Sequence, residues 1–261
     1  KSVDENAGVY YNAAKKAKKK LEGAKESLEK SKEKLSLILK QEEKFLVEEE
    51  IKKEKSNRKK EWYEKFHYFF SSEGFLCIGG KDATSNEMII KKHLEKDDLV
   101  FHTDMSGSPF FVVKDGQKAG EITKEETALS VAVYSKAWKL GHGTADVFYV
   151  NPEQVSKEAK SGENLAKGSF MIYGKTTYIR PTLEFYIGLV SNEDDTVEGE
   201  VIGGALSVVS DKTDNFVKLI PGREKKSKVA KKIKTFLKGG DLDDIIKFVP
   251  SGGADLKIKK K

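Results

Sequence analysis

Asp82, His93, His102, Asp104 and His142 have side chains that can carry a proton or hold a metal. Grouped in space, an Asp and a His can act as general acid and base or ligate a divalent ion. Their spacing argues against a built centre. No His-x-x-x-His or Cys-x-x-Cys pair is present, and the nucleophile elbow is absent. The enzyme that these residues would allow is a metal-dependent RNA-processing one using Asp82, His102 and Asp104. More informative are two polar turns beside apolar runs. Gly79-Gly80-Lys81-Asp82-Ala83-Thr84-Ser85-Asn86 sets backbone N–H groups, a lysine and an amide where a helix begins, a place that can receive a phosphate or a ribose. His102-Thr103-Asp104-Met105-Ser106-Gly107-Ser108 lies just past a strand end, where loop residues on a rigid scaffold tend to bind. Turn-forming and capping roles alone would explain the same residues equally well.

The elements that must position these turns fall into three segments. Residues 3–60 are rich in Lys, Glu, Leu and Ala, and neither proline nor glycine occurs from 24 to 72, which predicts a long helix. Leu21, Leu28 and Leu35 recur at seven residues, with Ala24, Ser31, Ile38 and Phe45 near the alternate seam and Val47 and Ile51 extending the edge. So narrow a stripe suits pairing with another helix. No turn chemistry says whether the arm folds back near 40–43. Residues 62–70 are dense in aromatics and fit a packed junction between arm and body. Strands are then expected at 74–80, 99–103, 110–114, 145–150 and 169–173. A helix is expected over 82–94, with Thr84 or Ser85 near its N-cap, and another from a capping box at Thr123–Glu126 through 138. Further on, β-like runs at 196–202, 205–210 and 216–220 end at Pro221-Gly222. A basic helix follows over 225–237, with Val229, Ile233, Phe236 and Leu237 as its apolar face; then come a short helix at 241–249 and a basic tail at 257–261. The fold class is α+β, a mixed sheet with flanking helices preceded by a long helical coiled-coil arm.

Composition narrows the function classes. Charged residues make up 34% and hydrophobic ones 38%, which fits a packed body plus a segment that buries little. The net charge of +6 is uneven: residues 1–61 carry 18 basic and 13 acidic side chains, 62–221 carry 17 and 24, and 222–261 carry 13 and 5. Both ends can be drawn to phosphate by counterion release, whereas the middle cannot by bulk charge. One cysteine, Cys77 in an apolar run, builds no disulfide framework and reads as a small buried hydrophobe in a reducing, cytoplasmic setting. No run of about 18 apolar residues exists to span a membrane, and no cofactor motif is found. The chain opens Lys1-Ser2-Val3-Asp4 without methionine and reads as a fragment of something longer.

Three stretches resemble a known family. Trp62-Tyr63-Glu64-Lys65-Phe66, then Gly74 through Glu87, then Asp98-Leu99-Val100-Phe101-His102-Thr103-Asp104-Met105-Ser106-Gly107 look like the NFACT proteins of ribosome-associated quality control. Some of these were once called fibronectin-binding. The stretch Val150 to Lys157, continuing to Lys167-Gly168-Ser169-Phe170-Met171-Ile172-Tyr173-Gly174-Lys175, is similar to that family's RNA-binding domain, NFACT-R. Asp4-Glu5-Asn6-Ala7 with Tyr10-Tyr11 and 15–23 resembles the start of its coiled-coil middle, and the end of the chain looks like archaeal members. The resemblance implies a coiled-coil arm at 1–61, an NFACT-R domain at 62–187 and a basic extension at 188–261 packed on the body. It implies a non-enzymatic cytoplasmic factor that recognises stalled large ribosomal subunits carrying peptidyl-tRNA. Its partners would be large-subunit RNA and tRNA, with ribosomal proteins met by the arm. The RNA-facing residues would be Lys81, Asp82, Asn86, His102, Asp104, Ser106, Gly107, Lys157 and Lys175.

Overall fold

Helix-forming composition and the absence of proline give one uninterrupted helix, α1 (Val3–Asn57), in the computed structural model, which describes residues 2–57, 61–158, 165–191 and 199–257. At about 1.5 Å per residue it extends roughly 80 Å. It runs straight through 40–43, so the arm does not fold back there. Leu21, Leu28, Leu35 and Ile38 are each 57% exposed, so the heptad seam is open. The side chains of Phe45, Val47 and Ile51 lie outside the described residues, as do residues 161–163, 196–198 and 258–261. Lys30 reaches back to Glu26 at 2.8 Å, one of the spaced pairs that stabilise a solvated helix by a few tenths of a kcal/mol each. This helix is one unit, and residues 60–261 form another.

The second unit runs β1 (His67–Phe70), β2 (Leu76–Gly79), α2 (Ala83–Lys92), β3 (Leu99–Thr103), β4 (Phe111–Val113), α3 (Glu121–Val133), α4 (Lys136–Lys139) and β5 (Val147–Val150). It continues with β6 (Val155–Ser156), β7 (Met171–Ile172), β8 (Thr177–Ile179), β9 (Phe185–Val190), β10 (Glu200–Gly204) and α5 (Leu206–Ser210). β11 (Phe216–Glu224), α6 (Lys226–Leu237), α7 (Leu242–Phe248) and β12 (Ala254–Lys257) complete it. The first sheet has the order β1-β2-β4-β3-β5-β8, the second β10-β9-β11-β12, and β6 pairs with β7. Every described strand pair is antiparallel. The chain is an α+β protein.

The first sheet is covered on both faces, which is why its central strands are apolar at nearly every position. Cys77, Leu99, Phe101, Phe111, Val113 and Val147 point into one core with Leu129, Val131 and Trp138. Ile78, Val100, Val112, Phe148 and Val150 point into a second with Phe66, Ile89 and Phe110. The first core continues without a break into the second sheet through Phe185, Ile187, Leu219, Val229, Ile233 and Leu237. The Trp138 indole donates to the Gly253 carbonyl at 2.7 Å, and the Tyr134 hydroxyl donates to that of Phe248 at 3.2 Å. β9 crosses position 187, so the strand that begins the C-terminal region also belongs to what precedes it.

Several local expectations are corrected. Asp82, not Thr84 or Ser85, caps α2, accepting from the Ser85 N–H while Ser85 Oγ accepts in return. α3 begins after Gly120, not at a Thr123 box, and stops at Val133; Ser135 then caps the separate α4. Thr123 and Glu126 face inward instead. The Thr123 hydroxyl donates to Ser71 Oγ and the Glu73 carboxylate, and Glu126 accepts from Ser72 and Ser207. Of the expected strand 205–210, residues 206–210 are helical despite their valines. β10 and β11 flank β9 on opposite sides, so the connection must arch across the sheet, and α5 does so with Val208 and Val209 buried. Pro221-Gly222 does not end β11, which absorbs the proline as a bulge against β12. On α6, Val229, Ile233 and Leu237 are buried while Phe236 stays 39% exposed.

Candidate functional site

The two polar turns meet because the β2–α2 and β3–β4 connections lie side by side. Asn86 ties them. Its Oδ1 accepts from the Phe110 N–H at 3.1 Å and its Nδ2 donates to the Ser108 carbonyl at 3.4 Å. Gly80 is glycine because the amide needs its space: a Cβ there would lie 1.8 Å from Asn86 Oδ1. His102 extends the strut, with Nε2 3.2 Å from the Ser108 carbonyl and its ring stacked on Phe110 at 4.0 Å. The carbonyl can only accept, so that nitrogen carries the proton. Burial holds the His102 imidazole below the ordinary histidine range, against the opposing pull of Ser108 and Asp104.

These turns form one side of a cleft of about 520 Å³. Lys81, Asp82, Asn86, His102, Ser106 and Gly107 line it, with Pro109 and Phe110. Its other lining comes from residues outside the expected RNA-facing set: His67, Tyr134, Lys167, Phe170, Lys226 and Ser251. Gly168, at φ +76, brings the 165–170 segment close to α2, where a Cβ would meet the Ala83 carbonyl oxygen at 2.5 Å.

The electrostatics of the cleft are one-sided. Lys81, Lys167 and Lys226 line it, and Asp82 is the one carboxylate among the described lining residues. That carboxylate is spent on the α2 N-terminus, where the Ser85 N–H holds it below its usual range. The phosphate expected at this helix start therefore meets an N-terminus that already has its anion. Burial lowers the Lys226 ammonium from the ordinary lysine range, and burial together with Lys247 lowers that of Lys81. Lys81 Nζ donates to the Lys65 carbonyl at 2.9 Å. His67 stacks on Tyr134 at 4.0 Å, and burial, Lys81 and Lys226 push it down to about 3. It is neutral at physiological pH. α6 opens with Lys225, Lys226 and Lys228, no side-chain cap and no acid in its first turn, the unfavourable sign for a helix N-terminus.

Three expected residues stand elsewhere. Asp104 is exposed and accepts from the Tyr178 hydroxyl at 3.3 Å. Lys175 is exposed on the β7–β8 connection, its carbonyl accepting from Gln154. Lys157 sits behind the 165–170 wall, donating to the carbonyls of Ala166 and Ser169 and lying 5.0 Å over the Phe170 ring. It positions Phe170 without lining the cleft. Asp82, His102 and Asp104 do not converge, and among the described residues no three His, Cys, Asp or Glu side chains stand together as metal ligands. The Asp82, His102 and Asp104 set is thus not assembled as a metal site among the described residues. Among the described residues, no helix is long and apolar enough to cross a membrane.

Comparison with known proteins converges on the same region. Residues 65–174 match the NFACT protein RNA binding domain. The chain is 41% identical over 212 residues to the archaeal Rqc2 homolog aRqcH of Methanocaldococcus jannaschii, covering 80% of this chain and 31% of that protein. It is 37% identical over 183 residues to the ribosome quality control complex subunit NEMF of Homo sapiens, covering 68% and 16%. The solved C-terminal part of the fibronectin/fibrinogen-binding protein from Streptococcus suis is similar with a TM-score of 0.40 at 20% identity, over 48% of each chain. The chain thus spans less than a third of the length of these two curated relatives.

Proposed function

We propose that this chain, which belongs to the NFACT family and carries its RNA-binding domain at residues 65–174, is the RNA-contacting portion of a ribosome quality control factor that recognises stalled large subunits bearing peptidyl-tRNA. It acts in the cytosol as a binding module, not as an enzyme. The observation that carries this is the cleft, where Lys81 and Lys167 of the acidic middle segment and Lys226 of the basic extension converge beside hydroxyl and glycine turns. Lys81, Ser106 and Gly107 face the RNA, while Asp82, Asn86 and His102 hold the turns that present them. Asp104, Lys157 and Lys175 lie outside the cleft, with Lys157 setting the position of Phe170. The basic face of α6 extends the contact surface to Lys225, Lys228, Lys231 and Lys232. The open seam of α1 supports the arm's engaging a second helical surface on the subunit or within the longer protein.

Co-sedimentation with purified large subunits, run from low to moderate salt, tests this. The chain should pellet at low salt and release as salt rises. Reversing Lys225, Lys228, Lys231 and Lys232 should flatten the log–log salt slope by roughly 0.7–0.9 for each phosphate that is no longer neutralised. No pelleting at any salt would refute the function. An unchanged slope would remove α6 from the surface.

A further inference from the structure

We propose that the cleft receives one unstacked nucleotide of single-stranded RNA, its phosphate against Lys81 and Lys226 and its base against the apolar wall of Phe110, Phe170 and Ile172. This rests on the RNA-binding function above and says which form of RNA is bound. Size is the first consideration. About 520 Å³ lies within the roughly 300–1,000 Å³ of pockets that enclose a single small ligand, and a base inside a helix cannot enter such a recess without leaving its stack. Unpaired segments, whose bases splay out at little cost, are the form in which RNA is usually read by sequence-reading proteins.

Chemistry is the second. A free anion would need only the lysines, yet the cleft pairs them with an apolar wall and with the hydroxyls of Ser106, Ser169 and Ser251. The Phe110 and Phe170 rings meet edge to face at 5.4 Å, and Lys157 fixes the second of them from behind. A nucleotide presents these features together: a charged phosphate, a sugar with hydroxyls, and a flat apolar base with polar edges.

The third consideration is what the free protein leaves unsatisfied. Among the described residues Lys226 has no carboxylate partner, and it sits half-buried at the start of a helix whose first turn holds no acidic side chain. Lys81 is tied to a neutral carbonyl and faces further positive charge. A phosphate between them supplies the missing negative charge.

The experiment uses fluorescence anisotropy with a labelled single-stranded RNA octamer, its duplex, an octamer abasic at every other position, and 5′-AMP as competitor. The full chain is compared with Lys226→Gln and with Lys212→Gln, which removes the same charge from an exposed lysine outside the proposed contact surface. The octamer should bind better than the duplex and the abasic strand, and millimolar 5′-AMP should displace it. Lys226→Gln should weaken octamer binding about tenfold, the loss of one charged hydrogen bond, and Lys212→Gln less than threefold. Equal losses in the two variants, or equal affinity for intact and abasic strands, would overturn the nucleotide pocket while leaving RNA binding standing. Tighter binding of 5′-AMP than of the octamer would overturn the assignment to RNA. Failure of every RNA to bind would instead overturn the function proposed above.

Discussion

Replacing Asn86 separates a residue that builds the cleft from one that touches RNA. The side chain is 7% exposed, and its two bonds hold the β3–β4 turn against α2. Asn86→Ala leaves the Phe110 N–H buried without an acceptor, which costs about 1–3 kcal/mol. The longer bond to Ser108 adds under about 1 kcal/mol, and the vacated volume contributes further, so the expected loss is roughly 2–4 kcal/mol. For a unit of this size each kcal/mol lowers the melting temperature by about 2–4 °C, a total of roughly 4–16 °C. Gly80→Ala should act through the same contact, since its Cβ would collide with the Asn86 amide. In the Asn86→Ala background most of that penalty should vanish, a coupling of about 1 kcal/mol or more. Urea titration of the four proteins measures the cycle. If Asn86→Ala changes stability by less than about 0.5 kcal/mol yet abolishes RNA binding, Asn86 is a direct contact and the strut is refuted.

Two further predictions concern charge. His67 has its folded pKa pushed down to about 3 from an ordinary 6.5, so its contribution is complete above pH 6.5 and is lost as pH falls toward 3; at pH 5 this amounts to at most ~2 kcal/mol, less whatever solvent screening reaches the largely buried ring. His67→Phe should therefore flatten the stability profile between pH 6.5 and 5 in denaturant titrations, leaving the smaller slope due to His93 and His102, whereas parallel profiles would refute it. Lys226→Gln should raise the stability of the free chain by about 0.3–1 kcal/mol, because it removes a cation from a helix N-terminus, and a loss of stability would show that the ammonium is already partnered.

The sequence announced the turns more clearly than it announced what would face them. Gly80, Asn86 and His102 drew attention as members of polar turns beside apolar strands, and they do stand together, but all three work for the scaffold. Their hydrogen bonds to Phe110 and Ser108 depend on the β3–β4 turn lying next to α2, a long-range fact that local pattern does not contain. Lys226 could not have been selected from 48 basic residues; only the packing of α6 on the second sheet brings it to the cleft. The strands of the first sheet were readable because burial on both faces makes them continuously apolar. Residues 205–210 were not, because the need to arch over β9 outweighs the β preference of Val208 and Val209. The arm was readable throughout as helix, since nothing in its composition interrupts it.

Segment charge proves to be the wrong scale for judging RNA contact here. Residues 62–221 carry seven more acidic than basic side chains, which argues against a broad electrostatic groove. The structure shows where four of those carboxylates go. Asp98 is buried against Lys114, Glu126 is satisfied by serine hydroxyls, Asp146 is held bidentate by Arg180, and Glu184 pairs with Lys218. Each of these carboxylates is matched locally, and at physiological salt a charge is felt over only about 8 Å. What remains at the cleft is set by Lys81 and Lys167 from the acidic segment and Lys226 from the basic one. An electropositive recess can therefore sit in an acidic domain, provided that the fold carries the carboxylates away from it and borrows a lysine from beyond the domain's end.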